Sequence, residues 1–393
     1  MLEFIFWLSA GLVVYSYALF PFVLIGFSAL VQIKRDLCFV LKKQERRISD
    51  SRQSQSMPRV GIIISAYNEG ACIAERVQNL QALDYPKDKI KYYIGSDGSK
   101  DNTAEVLQGI DDPNLVFVNF EQNRGKASVL NDLVAMAKED YLVFSDANTE
   151  FNSDAVSQLL KHFGDDSQVD AVCGELDLYA EASGENLDSA YWQYERVLKF
   201  NESKISGLLG ANGAIYAIRK SCFKAISPDT IVDDFTIVFQ VAVDGGKVIY
   251  APEAVAREEV APSSADEYKR RVRIGAGNFQ AFRRFLKVLS PSFGSLWFTY
   301  ISHKVLRWHG PHLLLLAFIS SLLLSFGSYF YAALFVAQCL LYLVSYKFRN
   351  RNITNKLIKL LIFWVNMNVA LGHGALRYYR GGVKGTWDST NRE

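Results

Sequence analysis

From Phe4 to Ile33 the chain holds no Asp, Glu, Lys or Arg. As a helix rising about 1.5 Å per residue, such a run outlasts a ~30 Å hydrocarbon core, even with Pro21 bending it. A secretory signal would start basic, carry a shorter apolar core and end at a small-residue cleavage site. This run starts beside the acidic Glu3 and is too long, so it reads as a retained anchor over residues 1–33. The feature recurs near the other end. Trp308 to Tyr346 is again uncharged, long enough for two spans that meet at "FGSYF" (326–330). Leu360 to Leu376 is a third, poorer candidate, because Asn366, Asn368 and His373 are costly in lipid unless they face other helices or a cavity.

Basic residues set the orientation. None precedes the first run, whereas Lys34, Arg35, Lys42, Lys43, Arg46, Arg47, Arg52 and Arg59 follow it, which places the segment after residue 33 in the cytoplasm. The loop "YKFRNRNITNK" (346–356) is also basic and belongs on the same side. The tail, 377–393, opposes this scheme: it falls outside if the last segment spans, yet it carries Arg377, Arg380, Lys384 and Arg392. Its side is left open. The expected organisation is an anchor (1–33), a basic cytoplasmic linker (34–57) that turns serine-rich at Ser49–Ser56, a soluble domain (58–262), an interfacial amphipathic segment (263–307), about three C-terminal spans (308–376) and the tail.

Across 393 residues the net charge is only +2, which lacks the basic surplus of a nucleic-acid binder. Cysteines 38, 72, 173, 222 and 339 are scattered, without paired spacing or a histidine cluster. That suits a reducing compartment and excludes a structural zinc or disulfide framework. Asn201 and Asn352 stand in N-x-S/T sequons, but both fall on segments expected inside the cell, so we read them as chance.

From Pro58 to Pro262 strands alternate with amphipathic helices, the pattern of a parallel sheet covered on both faces. "VGIIIS" (60–65) predicts a strand and 71–83 its helix; 90–96 a strand and 103–109 a helix; 114–120 a strand and 127–138 a helix; "DYLVFS" (140–145) closes the first half. In such sheets ligands sit beyond the carboxyl ends of the strands. Here those ends read "AYNE" (66–69), "SDGS" (96–99), "QNRGK" (122–126) and "SDAN" (145–148). Asp146 and Asn148 alone would suit a turn, since both bond their own backbone. Four polar strand ends together point to a shared site.

No G-x-G-x-x-G follows the first strand and no G-x-x-x-x-G-K-[ST] loop occurs, so neither dinucleotide nor P-loop binding is supported. Asp97 suits a base or ribose. Arg124 and Lys126 flank Gly125, where backbone approaches a phosphate closely. Asp146 and Asn148 supply the hard oxygens that Mg²⁺ or Mn²⁺ prefers when it also holds a diphosphate. The combination asks for a nucleotide diphosphate with its metal.

These residues, in this order, resemble the family 2 glycosyltransferases, whose α/β GT-A domain handles nucleotide-diphospho-sugars. Among them the match is to the membrane-embedded synthases of cellulose, chitin, hyaluronan and poly-N-acetylglucosamine, through most of the chain. "SAYNE", with Ala66, Tyr67, Asn68 and Glu69, resembles the opening nucleotide motif, and "SDGSKDNT" (96–103) the second. "NRGKASVLN" (123–131) resembles the diphosphate-side loop, and "SDANT" (145–149) stands at the D-x-D metal motif. "GANGAIYAIRK" (210–220), with Asn212 and Gly213, resembles the acceptor-side segment. "IVDDFTIVFQV" (231–241) stands at the T-E-D motif, which puts the base at Asp234 and Asp233 in the glutamate's place.

Two positions depart from the family. Asn148 replaces the second metal carboxylate by a neutral oxygen. At the Q-x-x-R-W motif the glutamine falls at Arg270, the arginine at Arg273 and the tryptophan at Ile274. Only the arginine is kept. The resemblance implies an α/β GT-A domain plus transmembrane helices, and inverting transfer from a UDP-sugar with Mg²⁺ or Mn²⁺. Asp234 is then the base, Asp146 and Asn148 the metal ligands, and Ala66, Tyr67, Asn68, Glu69, Asp97, Lys126 and Asp146 the donor contacts. Asn212, Gly213, Asp233, Arg270 and Arg273 line the diphosphate and acceptor side. Local readings stand beside these: Asp233 and Asp234 as a helix N-cap pair, and Arg273 as part of a basic face lying on anionic lipid. The expected product is an exopolysaccharide made at the inner membrane with partner proteins of an export system. The altered Q-x-x-R-W region keeps single transfer to a lipid or lipid-linked acceptor as the alternative, and an inactive nucleotide sensor as a third.

Overall fold

The computed structural model describes residues 1–42, 57–164, 168–179, 188–259, 264–349, 353 and 355–382. Most of the basic linker (43–56), the sequon at Asn352 and the tail beyond residue 382 lie outside the described residues. The chain packs as two units, one built on Leu24–Val260, the other mainly on the remaining helices.

The first helical run comprises α1 (Leu2–Val14), a π-helical turn (Tyr15–Leu19) and α2 (Phe20–Lys42). Pro21 lacks an N–H and its ring crowds the carbonyl of Tyr17, and the wide π turn sits at that point. Together they form a candidate span, Leu2–Leu41.

In the larger unit, eight strands form one sheet in the order β3-β2-β1-β4-β7-β6-β8-β5. They are β1 (Val60–Ala66), β2 (Ile90–Asp97), β3 (Leu115–Phe120), β4 (Tyr141–Asp146), β5 (Glu150–Phe151), β6 (Val169–Tyr179), β7 (Tyr216–Arg219) and β8 (Lys247–Glu259). β1 to β4 run parallel to one another, with Ala66 level with Ser96 and Ser65 level with Asp146. That register brings three polar strand ends to one edge. The expectation of a parallel sheet fails at β7, which pairs antiparallel with both β4 and β6, so the sheet is mixed. A short buried run such as "IYAI" looks the same in either direction, so its composition carries no information on polarity.

Alternation along the strands sends Ile62, Ile64, Tyr92 and Ile94 to one face and Ile63 and Tyr93 to the other. The first face packs on α3 (Ile73–Gln81), α4 (Thr103–Gln108) and α6 (Ala155–Leu160). The second packs on α5 (Lys126–Met136) and, beyond α7 (Asp188–Lys204), on α8 (Asp233–Val243). At about 1.5–3 kcal/mol per buried large aliphatic, these two layers hold the strand ends in place. Asn201, on α7, is buried; its amide donates to Val197 O at 2.8 Å and accepts from Ser28 Oγ at 2.6 Å. It is no surface glycan acceptor.

Besides Met1–Val23, the other unit holds α9 (Ser264–Arg284). α10 (Ser295–Thr299), a π turn (Tyr300–Val305) and α11 (Leu306–Trp308) then run to a 58° bend into α12 (Gly310–Ser325). α12, at 16 residues, spans roughly 24 Å and falls short of a ~30 Å core by itself. The turn after Ser325 leads into α13 (Tyr329–Phe348), at the expected hairpin, and α14 (Lys356–Tyr379) follows. Among the described residues, three helical runs are thus long and apolar enough to cross a membrane, Leu2–Leu41, Tyr329–Phe348 and Leu357–Tyr379, or up to four with the bent pair. Two polar residues of α14 make hydrogen bonds: Asn368 is buried and donates to Trp364 O at 3.0 Å, though its buried Oδ1 has no partner among the described residues, and His373 Nδ1 meets Tyr268 Oη at 2.6 Å.

α9 and α14 touch through glycines. A Cβ on Gly374 would lie 2.6 Å from Val272 O, and one on Gly275 would lie 3.2 Å from Leu371 Cα. Small residues permit such close backbone approach where no hydrophobic force drives helices together. Gly374→Val is therefore expected to separate the two helices and lower the thermal midpoint of the detergent-solubilised protein by several degrees. Gly327→Val, in the α12–α13 turn with no atom within 4 Å of its Cβ, should do so far less. Equal midpoints by scanning fluorimetry would refute this packing role.

Candidate active site

The loop after β1 is laced to the loop after β2. Asn68 takes a left-handed backbone (φ 55°), which asparagine tolerates through local hydrogen bonding. Its Oδ1 accepts from Lys100 N at 2.8 Å and its own N–H donates to Ser99 Oγ at 3.1 Å. Glu69 N–H donates to Thr103 Oγ1 at 2.8 Å. Ala66 is buried at the strand end, and Tyr67 beside it is half-buried.

Asp97 is buried at the end of β2, and its two oxygens accept from the N–H groups of Arg124 and Gly125, each at 2.8 Å. Its carboxylate thus fixes the loop before α5. Gly125, at φ 89°, makes the turn that starts that helix. The residue so delivered is Lys126.

Lys126 is the hub. Its buried ammonium lies 2.6 Å from Asp146 Oδ1, at the end of β4, and 3.1 Å from Asp233 Oδ2, in the first turn of α8. Burial by itself would lower the Lys126 pKa, but Asp146 and Asp233 more than offset it and hold the amine well above its usual range. Asp234 follows on the same turn, its Oδ1 accepting from Phe235 N–H at 2.7 Å. Burial, then the charge of Asp233, push Asp234 up to about 6, against the opposing pull of Lys126. The N-cap of α8 is Val232, so both aspartates lie inside the helix rather than capping it. Carboxylates there are favoured by the helix dipole.

The acceptor-side segment meets the same hub. A Cβ on Gly213 would stand 2.7 Å from Asp146 Oδ2, so only glycine leaves that oxygen its place. Asn212 Oδ1 accepts from Ile215 N at 3.3 Å, while its buried Nδ2 has no partner among the described residues. An orphan donor beside a carboxylate suits an oxygen-rich ligand. Asn148 is half-buried, two residues beyond Asp146 in a turn closed by Thr149 N–H donating to Asp146 O at 3.4 Å.

Lys126, Asp146, Gly213, Asp233 and Asp234 are thus brought together. Arg270 and Arg273 belong to the other unit, on α9, where Arg270 pairs with Glu267 at 3.7 Å. One residue escaped the sequence reading. Arg76, on α3, is buried and donates to Ser145 Oγ at 2.9 Å, immediately before Asp146. The signal for it was positional: it stands three residues after Ile73 and one before Val77, within the buried stripe of its helix.

Among the described residues no group of three or more His, Cys, Asp or Glu is arranged to hold an ion unaided. Asp146 with Asn148 would be a partial donor set, to be completed by ligand phosphates and water in the manner of Mg²⁺ sites. The Lys126 ammonium on Asp146 stands in for a cation. The residues therefore fit a divalent ion that arrives with a diphosphate.

Residues 61–221 match the family described as glycosyl transferase family 2. A poly-beta-1,6-N-acetyl-D-glucosamine synthase of Staphylococcus aureus (strain COL) is 28% identical over 231 residues, 57% of this chain and 56% of the relative. The synthase of the same name from Staphylococcus epidermidis is 25% identical over 254 residues, 63% of this chain and 61% of the relative. The match thus spans little more than half the length of these curated relatives. Among solved structures, a mannosyltransferase from Pyrobaculum calidifontis in complex with GDP-Man and Mn²⁺ superposes with TM-score 0.72 at 22% identity. It covers 96% of this chain and 99% of that one, a likeness of fold.

Lys126→Met removes the cation shared by the half-buried Asp146 and the buried Asp233, a change that costs about 3–5 kcal/mol. Mn²⁺ added with UDP should then raise the thermal midpoint more in the variant than in the parent. Equal or smaller shifts would show that the ion does not go to Asp146.

Proposed function

We propose that this chain, which carries a family 2 glycosyltransferase domain in a GT-A fold alongside helices of membrane-spanning length, moves a sugar from a UDP-sugar to a growing exopolysaccharide with inversion. The observation that carries the reading is the hub itself: one lysine gathering Asp146 and Asp233, with Asp234 beside them, at the level ends of β1, β2 and β4. The names of the relatives support a polysaccharide product. The basic flank after the first span supports a cytoplasmic catalytic domain on a multi-pass protein of the inner membrane. Partner proteins of an export system belong to the same reading.

In this mechanism Asp234 takes the proton from the acceptor hydroxyl as its oxygen attacks the anomeric carbon. The bond to the diphosphate breaks on the opposite face, so configuration inverts. Asp146 and Asn148 would hold Mg²⁺ or Mn²⁺, which when bound neutralises charge developing on the departing diphosphate. Lys126, beside Asp146, adds a fixed positive charge on that side. Asp97 holds the Arg124–Gly125 backbone in place. Asn212 offers its unpartnered Nδ2 to an oxygen of the ligands. Arg270 and Arg273 are assigned to the diphosphate and acceptor side.

A second reading, transfer of one sugar to a lipid-linked acceptor, is favoured by Ile274 at the position where processive synthases carry tryptophan. Protein in lipid vesicles with Mn²⁺ and radiolabelled UDP-N-acetylglucosamine or UDP-glucose separates the two. Label in long, enzyme-digestible chains supports the polymer, label in a one-sugar lipid fraction supports the second reading, and no incorporation from either donor removes both.

Asp234→Asn should lower turnover by roughly 10²–10⁴-fold, the contribution of a general base, with donor affinity kept within about twofold. Retained turnover would remove Asp234 from the base role. The base works ionised, so the rate rises as pH climbs through its pKa. The acid limb of kcat/KM is therefore expected near pH 6, and Lys126→Met should move it upward because the ammonium favours the carboxylate. A profile flat down to about pH 4, the ordinary aspartate range, would contradict the assignment.

A further inference from the structure

Under the sheet, on the α3 side, lies a guanidinium that the transfer chemistry above does not use. The buried stripe of α3 runs Ile73, Val77 and Leu80, and Arg76 lies in it, 3% exposed. Burying a guanidinium costs several kcal/mol, and a leucine or methionine would fill such a stripe without that cost. Burial pushes Arg76 down to about 9, against the pull of Glu258 and then Asp146. Its Nε has no hydrogen-bond partner among the described residues. Both of its terminal nitrogens, however, serve one segment.

Nη2 donates to Ser145 Oγ at 2.9 Å, at the residue before Asp146. Nη1 donates to Asn79 Oδ1 at 2.6 Å. Asn79 in turn grips Phe151 on both sides, accepting from its N–H and donating to its C=O, each at 2.9 Å. The guanidinium carbon lies 4.3 Å from the centroid of the Phe151 ring. Segment 145–151 is therefore held at both ends from α3. Its middle is held by β8, where Thr149 Oγ1 donates to Glu258 Oε1 at 2.6 Å. The residues between these fixings are Asp146, Ala147 and Asn148.

We propose that Arg76 is a positioning residue for the Asp146-Ala147-Asn148 loop, fixing it from beneath through Ser145 and, by way of Asn79, Phe151, so that a divalent cation meets its carboxylate and amide oxygens already in place. The inference rests on the transferase reading of that loop. The physical need comes from Asn148. A neutral amide binds a cation less strongly than a carboxylate, so affinity depends more on pre-set geometry and less on charge. Arg76 acts through position, because its own charge behind Asp146 repels an incoming cation.

That opposition makes the idea testable in the full-length protein in detergent. Mn²⁺ binding with UDP is read from loss of the free-Mn²⁺ EPR signal for the parent, Arg76→Lys and Arg76→Gln. Lysine keeps the charge but cannot reach Ser145 and Asn79 at once, and glutamine loses both. Positioning predicts that both variants weaken Mn²⁺ binding about tenfold, with metal-free UDP affinity within about twofold of the parent. Tighter Mn²⁺ binding by Arg76→Gln would make the role electrostatic and overturn the proposal. Unchanged Mn²⁺ binding with a lower thermal midpoint would make Arg76 an ordinary core residue, also overturning it. Ser145→Ala and Asn79→Ala each remove one anchor at smaller folding risk, and each should weaken Mn²⁺ binding about threefold. If the parent itself binds no Mn²⁺ with UDP, the metal reading of the site falls together with this inference. If the parent binds and Arg76→Lys binds equally, only the inference falls.

Discussion

A single buried ammonium organises the catalytic end of the sheet. Lys126 is the first residue of its helix, Asp146 the last of β4, and Asp233 the first of α8. These elements are far apart in sequence, and the Lys126 side chain is where they meet. Left alone, the half-buried Asp146 and the buried Asp233 carboxylates would repel each other. With the ammonium between them the same charges attract. The precision of the meeting comes from elsewhere: the level register of β1, β2 and β4, and the Asp97 carboxylate that holds the Arg124–Gly125 backbone. The sheet supplies rigid ends, and the loops supply charge.

The helical unit obeys a different rule. Polar groups among helices of membrane-spanning length are costly unless met within the protein. Arg307 is buried, donates from Nε to the Ser16 carbonyl at 3.3 Å, and has its guanidinium carbon 5.2 Å from the centroid of the Tyr17 ring. The carbonyl it uses lies in the π turn before Pro21, where the regular i→i−4 ladder is interrupted. A proline defect in one helix is thus met by a cation from another. Gly275 and Gly374 follow the same logic of contact, with backbone on backbone rather than side chain on side chain.

Much of this was legible because burial leaves a periodic mark. The uncharged runs marked helices long and apolar enough to span, and the polar strand ends marked the residues that gather around Lys126. What was hidden follows from the same physics. "IYAI" is buried on both faces and so carries no sign of direction, which concealed the antiparallel β7. "CIAERVQNL" places Arg76 in the buried stripe by spacing, but charged residues are seldom fully buried, and residue type alone reads it as facing water. Asp97 was legible as important but not in how it acts, because a carboxylate that accepts two backbone amides resembles one that accepts a ribose until the loop is seen. The break between α11 and α12 escaped for another reason: an uncharged run shows where apolar helix is, not where it bends.

Asn148, a departure when compared with the family, becomes consistent when the charges around it are counted. Three carboxyl groups, Asp146, Asp233 and Asp234, stand against one ammonium, an excess of two acidic groups near Lys126. Under the proposed transfer, one divalent cation neutralises them. A second acidic residue at position 148 would leave the loaded site negative just where a diphosphate must approach, unless another cation were recruited. Burial, and then the neighbouring charge of Asp233, raise the Asp234 pKa, so further negative charge there is unfavourable. A neutral oxygen at 148 relieves that crowding and shifts the burden of binding the ion from charge to geometry. Geometry is what buried Arg76 and half-buried Asn79 provide under our proposal, so the weak point of the motif and its support fall on the same seven residues, 145–151.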